Sequence, residues 1–244
     1  MTHPFYHLPR LYLSQELIKG KSLVLAEEPS HYLRNVLRKT IADRVRVFNS
    51  QNGEWLAQIS GGSKKSITLT IEEEVRHPKI ETCEIHLIFS PLKKDRNDML
   101  IEKAVELGVT HLHPSLFSRT IVRDIKPDRI KAQLIEATEQ CERLSPPSLA
   151  PLKDLKKLLS EWSRDIPVFA AIERQETISL LDATKESIQN KTALLVGPEG
   201  GLTVEEIEIL TSQSFITPVS LGPRILRAET AVFYGLSLLT AHNS

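Results

Sequence analysis

Two glycine-proline loops hold the residues best suited to chemistry. The first, "GPEGG" at 197–201, follows the apolar run "TALLV" and precedes "LTVEEIEIL"; the second is "LGPRILRAETA" at 221–231. Because glycine has no Cβ, a Gly-rich turn between a strand and a helix lets the backbone approach a ligand closely. We therefore interpret the two loops as the walls of one ligand pocket.

The sequence of the first loop argues against a phosphate ligand. Helix N-termini bind anions, but this loop has neither the GxxxxGK[ST] nor the GxGxxG spacing. Thr203 and Glu206 fit a capping box, which would occupy the N–H groups that an anion needs. Glu199 and the carboxylates after it would also repel phosphate. A neutral or cationic ligand is therefore favoured.

The pattern that positions these loops is an alternation of strands and helices. Strands are predicted at 84–90, 110–117, 165–172, 192–196 and 217–221, with helices at 95–107, at 127–144, from 203 and from about 227. This order predicts an α/β fold with a parallel sheet and helices on both faces. Open α/β sheets bind ligands at the carboxyl ends of their strands. The two loops should lie side by side if their strands are neighbours.

The front of the chain has a different pattern, typical of a small β-barrel. Short strands are predicted at 44–48, 54–60 and 66–71, with turns between them. One helix should start at Pro29–Ser30, with an apolar face opposite a basic one; these faces are formed by Leu33, Val36 and Leu37, and by Arg34 and Arg38. A polar linker is expected at 72–79. We predict two domains, 1–71 and 72–244.

Composition excludes several classes of protein. The chain has 244 residues, of which 41% are hydrophobic and 25% charged, so a globular fold is expected. Cys83 and Cys141 have no CxxC or Cys/His spacing, which argues against a disulfide framework and a zinc site, so no metal is expected. No apolar run approaches the roughly 20 residues of a membrane span. We expect a soluble, cytoplasmic protein with no membrane partner.

Positive charge is concentrated in the front of the chain. The whole chain is neutral, but residues 1–71 carry ten Lys and Arg against five Asp and Glu. This excess, with the alternating "RVRVF" at 44–48, favours RNA binding by the front domain, although charged helix faces are often only solvated. The candidate RNA contacts are Arg10, Arg34, Asn35 and Arg38, with Lys94 and Arg96 beside the sheet.

Six segments together resemble a known family over nearly the whole chain. They are "LPRLYL" (8–13), "HYLRNVLR" (31–38), "KKDRNDMLIEKAVELGVTHLHP" (93–114), "EATEQCER" (136–143), "LLVGPEGGLTVEEI" (194–207) and "LGPRILRAETA" (221–231). This combination is similar to the RsmE family of small-subunit ribosomal RNA uridine N3-methyltransferases, which belong to the SPOUT methyltransferases.

The resemblance implies S-adenosylmethionine as the cofactor and a uridine of 16S ribosomal RNA, within the small ribosomal subunit, as the substrate. It also implies a SPOUT-type sheet with a C-terminal trefoil knot, a PUA-like or OB-like front barrel, and a homodimer with the site near the subunit interface. Two alternatives stay open. One is a SPOUT enzyme acting at another RNA position or on ribose, and the other is a non-catalytic RNA-binding assembly factor.

The resemblance also implies roles for single residues. The cofactor should contact Ile172, Gly197, Glu199, Gly200, Gly201, Leu221, Gly222, Ile225 and Leu226, although Leu221, Ile225 and Leu226 would also fit a plain core. Arg227 should stabilise the charge that develops on uracil as the N3 proton leaves. Glu229 should either orient Arg227 or cap the last helix. No histidine lies in a matched loop, so His111 and His113 are expected to be structural or at the surface.

Overall fold

A computed structural model describes residues 5–63, 65–78, 82–187 and 190–242. The chain forms two compact units. The first comprises Met1–Ile80 and Thr138–Ser145, and the second comprises Glu81–Ala137 and Pro146–Ser244. Within the described ranges, no helix is long and apolar enough to cross a membrane.

The described part of the first unit is built around a five-stranded sheet. Its elements are β1 (Arg10–Tyr12), β2 (Ser22–Val24), α1 (Glu27–His31), a π-helical turn (Tyr32–Val36), β3 (Arg44–Asn49), β4 (Gly53–Gly62) and β5 (Ile67–Arg76). The strand order is β1-β3-β4-β5-β2. β1 pairs with β3 in parallel, and the other pairs are antiparallel. Val45, Val47 and Leu69 point into a buried apolar cluster that also contains Leu33. Closure into a barrel stays a prediction.

The helix of this unit differs from the sequence prediction. It begins at Glu27, before Pro29, and Ser30 is buried within it. The Ser30 hydroxyl accepts a hydrogen bond from Ile67 N at 2.9 Å, so it joins the helix to β5 and does not cap it. Arg38 lies beyond the helical residues with a φ of +54°, in the left-handed region. Arg34 and Arg38 therefore do not share a helix face.

The predicted linker is wrong for residues 72–76, which continue β5. Glu73 pairs in register with Leu56, and Glu72 forms a 2.9 Å ion pair with Arg44. Acidic side chains are compatible with a strand that has one solvated face. Lys79, the end of the predicted linker, lies outside the described residues.

The second unit contains the rest of the helices and strands. They are β6 (Glu84–Phe89), α2 (Lys94–Glu106), β7 (His111–Leu116), α3 (Pro127–Gln140), β8 (Ser148–Leu149), β9 (Lys153–Asp154), α4 (Leu155–Ser160), β10 (Val168–Ala171), β11 (Ile178–Ser179), α5 (Leu180–Ser187), β12 (Lys191–Val196), α6 (Val204–Thr211), β13 (Ile216–Ser220) and α7 (Ala228–His242). The last residues of α3, from Thr138, are grouped with the first unit.

The predicted α/β architecture with a parallel sheet is confirmed. In the described residues the strand order is β11-β13-β10-β12-β6-β7-β8, with β9 beside β7, and the pairs are parallel. Successive side chains of a strand point to opposite faces of the sheet, so two neighbouring residues of β12 show that helices cover both faces. Leu195 joins the apolar cluster with Leu158 of α4 and Leu210 of α6. Leu194 lies against Gly235 of α7.

The strands before the two glycine-proline loops are not neighbours, so the condition for loops lying directly side by side is not met. β10 lies between β12 and β13 and pairs with both. With neighbouring strands roughly 4.8 Å apart, the ends of β12 and β13 are separated by about 10 Å. The end of a third strand therefore lies between the two loops.

Candidate functional site

Three neighbouring strands end at the same level, and their carboxyl ends form what we call the shared edge of β10, β12 and β13. Ala171, the last residue of β10, pairs with Val196 of β12 and with Val219 of β13. Ile172 follows directly, and its N–H donates to the carbonyl oxygen of Val219 at 3.1 Å. Ile172 is therefore placed between the starts of the two glycine-proline loops.

The first loop is a tight turn that leads into a capped helix. Gly201 has a φ of +73°, and its N–H donates to Pro198 O at 2.9 Å. The predicted capping box is confirmed: Glu206 N donates to Thr203 Oγ1 at 3.2 Å, and Thr203 N donates to Glu206 Oε2 at 2.9 Å. Two N–H groups at this helix end are thus already satisfied, as expected for a loop that does not hold phosphate.

Arg119 contacts this loop and was missed in the sequence. Its Nη1 donates to the carbonyl oxygen of Gly200 at 2.9 Å. A Cβ on Gly200 would lie 3.0 Å from the Cβ of Arg119, so the two backbones approach closely. Ser118 and Arg119 follow the carboxyl end of β7, on the same side of the sheet as the two loops. Ser118 N donates to Oε1 of Glu206 at 2.7 Å. The available signal was the pair of arginines, Arg119 and Arg123, directly after a predicted strand.

Arg96 and two carboxylates form an ionic cluster in this unit. Arg96, at the start of α2, pairs with Glu199, and its Nε lies 3.8 Å from Glu229 Oε1. Glu229 is 5% exposed, and its Oε2 has no hydrogen-bond partner among the described residues. Arg96, predicted to contact RNA, is therefore engaged by two predicted site residues. Among the described residues, Glu229 forms its ion pair with Arg96 and none with Arg227.

The second loop exposes an apolar side chain and a cation. Gly222 has a φ of +106°, and its N–H donates to Ser220 Oγ at 3.1 Å. Ile225 is 65% exposed, so it is not a core residue, whereas Leu221 and Leu226 are half-buried. Arg227 is exposed just before α7. Both side chains are accessible to a ligand.

Arg10 is a structural residue, and its prediction as an RNA contact is wrong. It is 7% exposed, and its Nε donates to Glu54 Oε1 at 2.8 Å. The remaining donors reach the carbonyl oxygens of Thr138, Glu139 and Arg143. Burial lowers the pKa of Arg10, and the Glu54 carboxylate opposes this effect. A guanidinium enclosed in this way cannot contact a phosphate.

The other predicted RNA contacts differ in exposure. Arg34 is half-buried and donates to Ser66 O at 3.2 Å. Asn35, Arg38 and Lys94 are exposed. The "RVRVF" strand adds less surface charge than its sequence suggests, because Arg46 is buried against Glu54 and Glu142.

A histidine cluster lies in the amino-terminal half of β6 and β7. His86 is 5% exposed, and its ring stacks on that of His111 with 4.2 Å between centroids. Burial lowers the pKa of His86 to about 4, and the His111 charge adds to the shift. Burial likewise lowers the pKa of His113 to about 3, with His86 as the next cause. Only His111 and His113 were noticed in the sequence, and as isolated structural or surface residues.

Two family models match separate parts of the chain. A model described as an RNA methyltransferase domain matches residues 79–240. A model described as an RNA methyltransferase PUA domain matches residues 25–72.

Named relatives match over nearly the full length. A ribosomal RNA small subunit methyltransferase E of Rickettsia conorii is 31% identical over 237 residues, covering 96% of each chain. That of Bacillus subtilis is 27% identical and covers 93% of this chain and 92% of its own. The crystal structure of the Neisseria gonorrhoeae enzyme of the same name, bound to S-adenosyl methionine, is 30% identical with a TM-score of 0.85, covering 96% of this chain and 98% of that one. The chain therefore belongs to the ribosomal RNA small subunit methyltransferase E (RsmE) family.

Proposed function

We propose that this protein transfers the methyl group of S-adenosylmethionine to N3 of one uridine in 16S ribosomal RNA. The observation that carries the proposal is the shared edge of β10, β12 and β13, where Ile172 lies between two glycine-proline loops. Support also comes from the relatives named as small subunit methyltransferases and from the cofactor bound to the Neisseria enzyme.

The residues at this edge suit a cofactor that is bound largely through backbone. Gly201 and Gly222 adopt positive φ, a backbone conformation that glycine takes without the strain that a Cβ would cause. Half-buried Leu221 and Leu226, with exposed Ile225, offer apolar contact to an adenosine. Glu199 pairs with Arg96 through one carboxylate oxygen, and its second oxygen is the group that we assign to a cationic part of the cofactor. We assign cofactor contacts to these residues and to Ile172, Gly197 and Gly200.

The cofactor supplies an activated methyl group, so the protein has mainly to align uracil N3 and favour loss of its proton. Arg227 is exposed just before α7, and a preorganised guanidinium would stabilise the charge that develops on the uracil oxygens. Glu229 lies in the first turn of α7, where a carboxylate complements the helix dipole. We assign Arg227 to catalysis and Glu229, with Arg96, to positioning the helix.

RNA binding, the knot and the homodimer complete the proposal. We assign RNA contacts to exposed Asn35, Arg38 and Lys94, with half-buried Arg34. A knot is supported by the path of the last segment: β13 pairs with β10, and α7 then returns to pack on β12 and α2. We also propose that the protein is a homodimer and that it acts in the cytoplasm, where ribosomal RNA is found.

The test is mass mapping of ribosomal RNA from cells with and without the gene. We expect one uridine of 16S ribosomal RNA to lose a base methyl group in the deletion strain and to regain it on complementation. A missing methyl on ribose or at another base would instead indicate a different RNA methyltransferase. Unchanged modification would indicate a non-catalytic assembly factor. Either result would overturn the proposal.

A further inference from the structure

Three potential metal ligands meet in the amino-terminal half of β6 and β7. His86 and His111 are register partners in this parallel pair, and Glu84 lies two residues before His86 on the same face of the strand. One ligand atom from each of the three lies within 4.8 Å of the others. The glycine loops follow the opposite, carboxyl ends of the strands, so the proposed methyl transfer leaves this cluster without a role.

His86 carries a buried nitrogen that needs a partner. Its Nε2 has no hydrogen-bond partner among the described residues, and the nearest carboxylate oxygen, Glu84 Oε2, is 3.6 Å away. Buried polar atoms are normally satisfied, and leaving one unpaired is costly. A ligand at this nitrogen would remove that cost.

Hydrogen bonds direct the imidazole lone pairs toward the cluster. Thr110 Oγ1 donates to Ile85 O at 3.0 Å, so it accepts the Nδ1–H of His111 at 2.8 Å and leaves the lone pair on His111 Nε2. His86 Nδ1 lies 3.0 Å from His113 Nε2. A cation on His86 Nε2 selects the tautomer in which Nδ1–H donates to His113. Metal-bound histidines in proteins are typically oriented by such an outer hydrogen bond.

We propose that Glu84, His86 and His111 bind one zinc ion. Two imidazole nitrogens and a carboxylate are ligands that Zn²⁺ accepts, with a water in the fourth position. The ion would join the start of β6 to the start of β7. Cysteine spacing could not indicate this site, because its ligands are held by strand register and not by a short motif.

Binding requires small movements of the more exposed ligands. Bonds of about 2.0–2.1 Å to a tetrahedral ion place ligand atoms about 3.3 Å apart. Glu84 must exchange its ion pair with Lys191, now 3.0 Å long, for the zinc ion. The His111 ring must turn out of its nearly parallel stack on His86. Both residues are partly exposed, whereas His86 is buried.

The test uses the full-length, tag-free chain and Zn²⁺ alone. Competition with a chromophoric chelator should detect one equivalent of bound zinc per chain. Glu84→Gln and His111→Ala should each weaken zinc binding at least about tenfold. Saturating zinc should also raise the Tm of the wild type, because it binds only the folded state.

His77→Ala is the matched control. His77 is an exposed histidine that lies 2.7 Å from a carboxylate oxygen of Glu74, so it tests adventitious binding by a single His-Glu pair. This variant should bind zinc like the wild type. Substoichiometric binding by the folded wild type, wild-type affinity in both ligand variants, or an equal loss in His77→Ala would overturn the site. The ligand variants should keep cofactor affinity, so this result is separate from the proposed function.

Discussion

The guanidinium of Arg119 donates a hydrogen bond to the carbonyl oxygen of Gly200, with 2.9 Å between the two atoms. The contact joins the segment after β7 to the first glycine-proline loop. The neighbouring Ser118 N–H donates to Glu206 of the capping box at 2.7 Å. The "GPEGG" loop is therefore held by a second chain segment as well as by its own turn.

Removing this contact should weaken cofactor binding without affecting the fold. We expect Arg119→Ala to bind S-adenosylmethionine about tenfold more weakly. A lost hydrogen bond from a charged group costs roughly 1.5–3 kcal/mol, and the exposure of Arg119 to solvent places its cost at the low end of that range. Arg123→Ala, an exposed arginine of the same segment, should bind normally. Calorimetry that finds equal affinities in both variants would rule out a supporting role for Arg119.

The positive-φ glycine in each of the two glycine-proline loops should tolerate no β-branched residue. Gly201→Val and Gly222→Val would force a left-handed backbone on valine, so the loops must rearrange and cofactor binding should be lost. Gly61→Val is the control, because a Cβ at Gly61 meets no atom within 4 Å and its φ is not positive. Wild-type calorimetric affinity in both loop variants would contradict the pocket.

The sequence predicts local features of the site better than distant contacts. The Thr203–Glu206 capping box was predictable because its partners are three residues apart. The insertion of β10 between β12 and β13 was not, since the order of strands along the chain does not fix their order in a sheet. Arg10 looked like a surface cation because its partners lie 44 or more residues away. The histidine cluster likewise depends on strand register.

Arg227 should affect catalysis and leave cofactor binding unchanged. We expect Arg227→Ala to bind S-adenosylmethionine normally and to lose at least about a hundredfold in methyl transfer, the scale of one preorganised electrostatic donor. Arg227→Lys should recover only part of the rate, because a point charge does not reproduce a planar guanidinium. Single-turnover transfer to 16S ribosomal RNA, measured beside calorimetry, checks both expectations. Near-normal turnover in Arg227→Ala would exclude the catalytic role.

Substituting Arg10 should change stability, whereas substituting Arg38 should change RNA binding. Arg10→Ala leaves the fully buried Glu54 carboxylate with Arg46 and Arg76 as its remaining partners, and it removes the donor to three carbonyl oxygens. The free energy of unfolding should fall by about 1–3 kcal/mol. Arg38→Ala should leave stability within about 0.5 kcal/mol and make the dependence of RNA affinity on salt shallower. Urea denaturation and fluorescence titrations at several salt concentrations measure these quantities. A normal stability for Arg10→Ala, with a shallower salt slope, would restore Arg10 as an RNA contact.

Arg96 should stabilise the fold by compensating the buried charge of Glu229. Arg96→Ala removes the nearest cation from a buried carboxylate and should lower the free energy of unfolding by about 1–3 kcal/mol. Its exposed pair with Glu199 should contribute little. Adding Glu229→Gln to Arg96→Ala should recover part of the loss, because the uncompensated charge is then gone. Urea denaturation in which the double variant is less stable than Arg96→Ala would argue against this coupling.

The most direct test of the central claim is a crystal structure of the full-length protein with S-adenosylmethionine bound. We predict that the cofactor lies at the shared edge of β10, β12 and β13, in contact with Ile172, Gly197 and Leu221. Its methyl group should face the side from which Arg227 approaches. Cofactor density at any other place on the protein, with this edge left to solvent, would contradict the account.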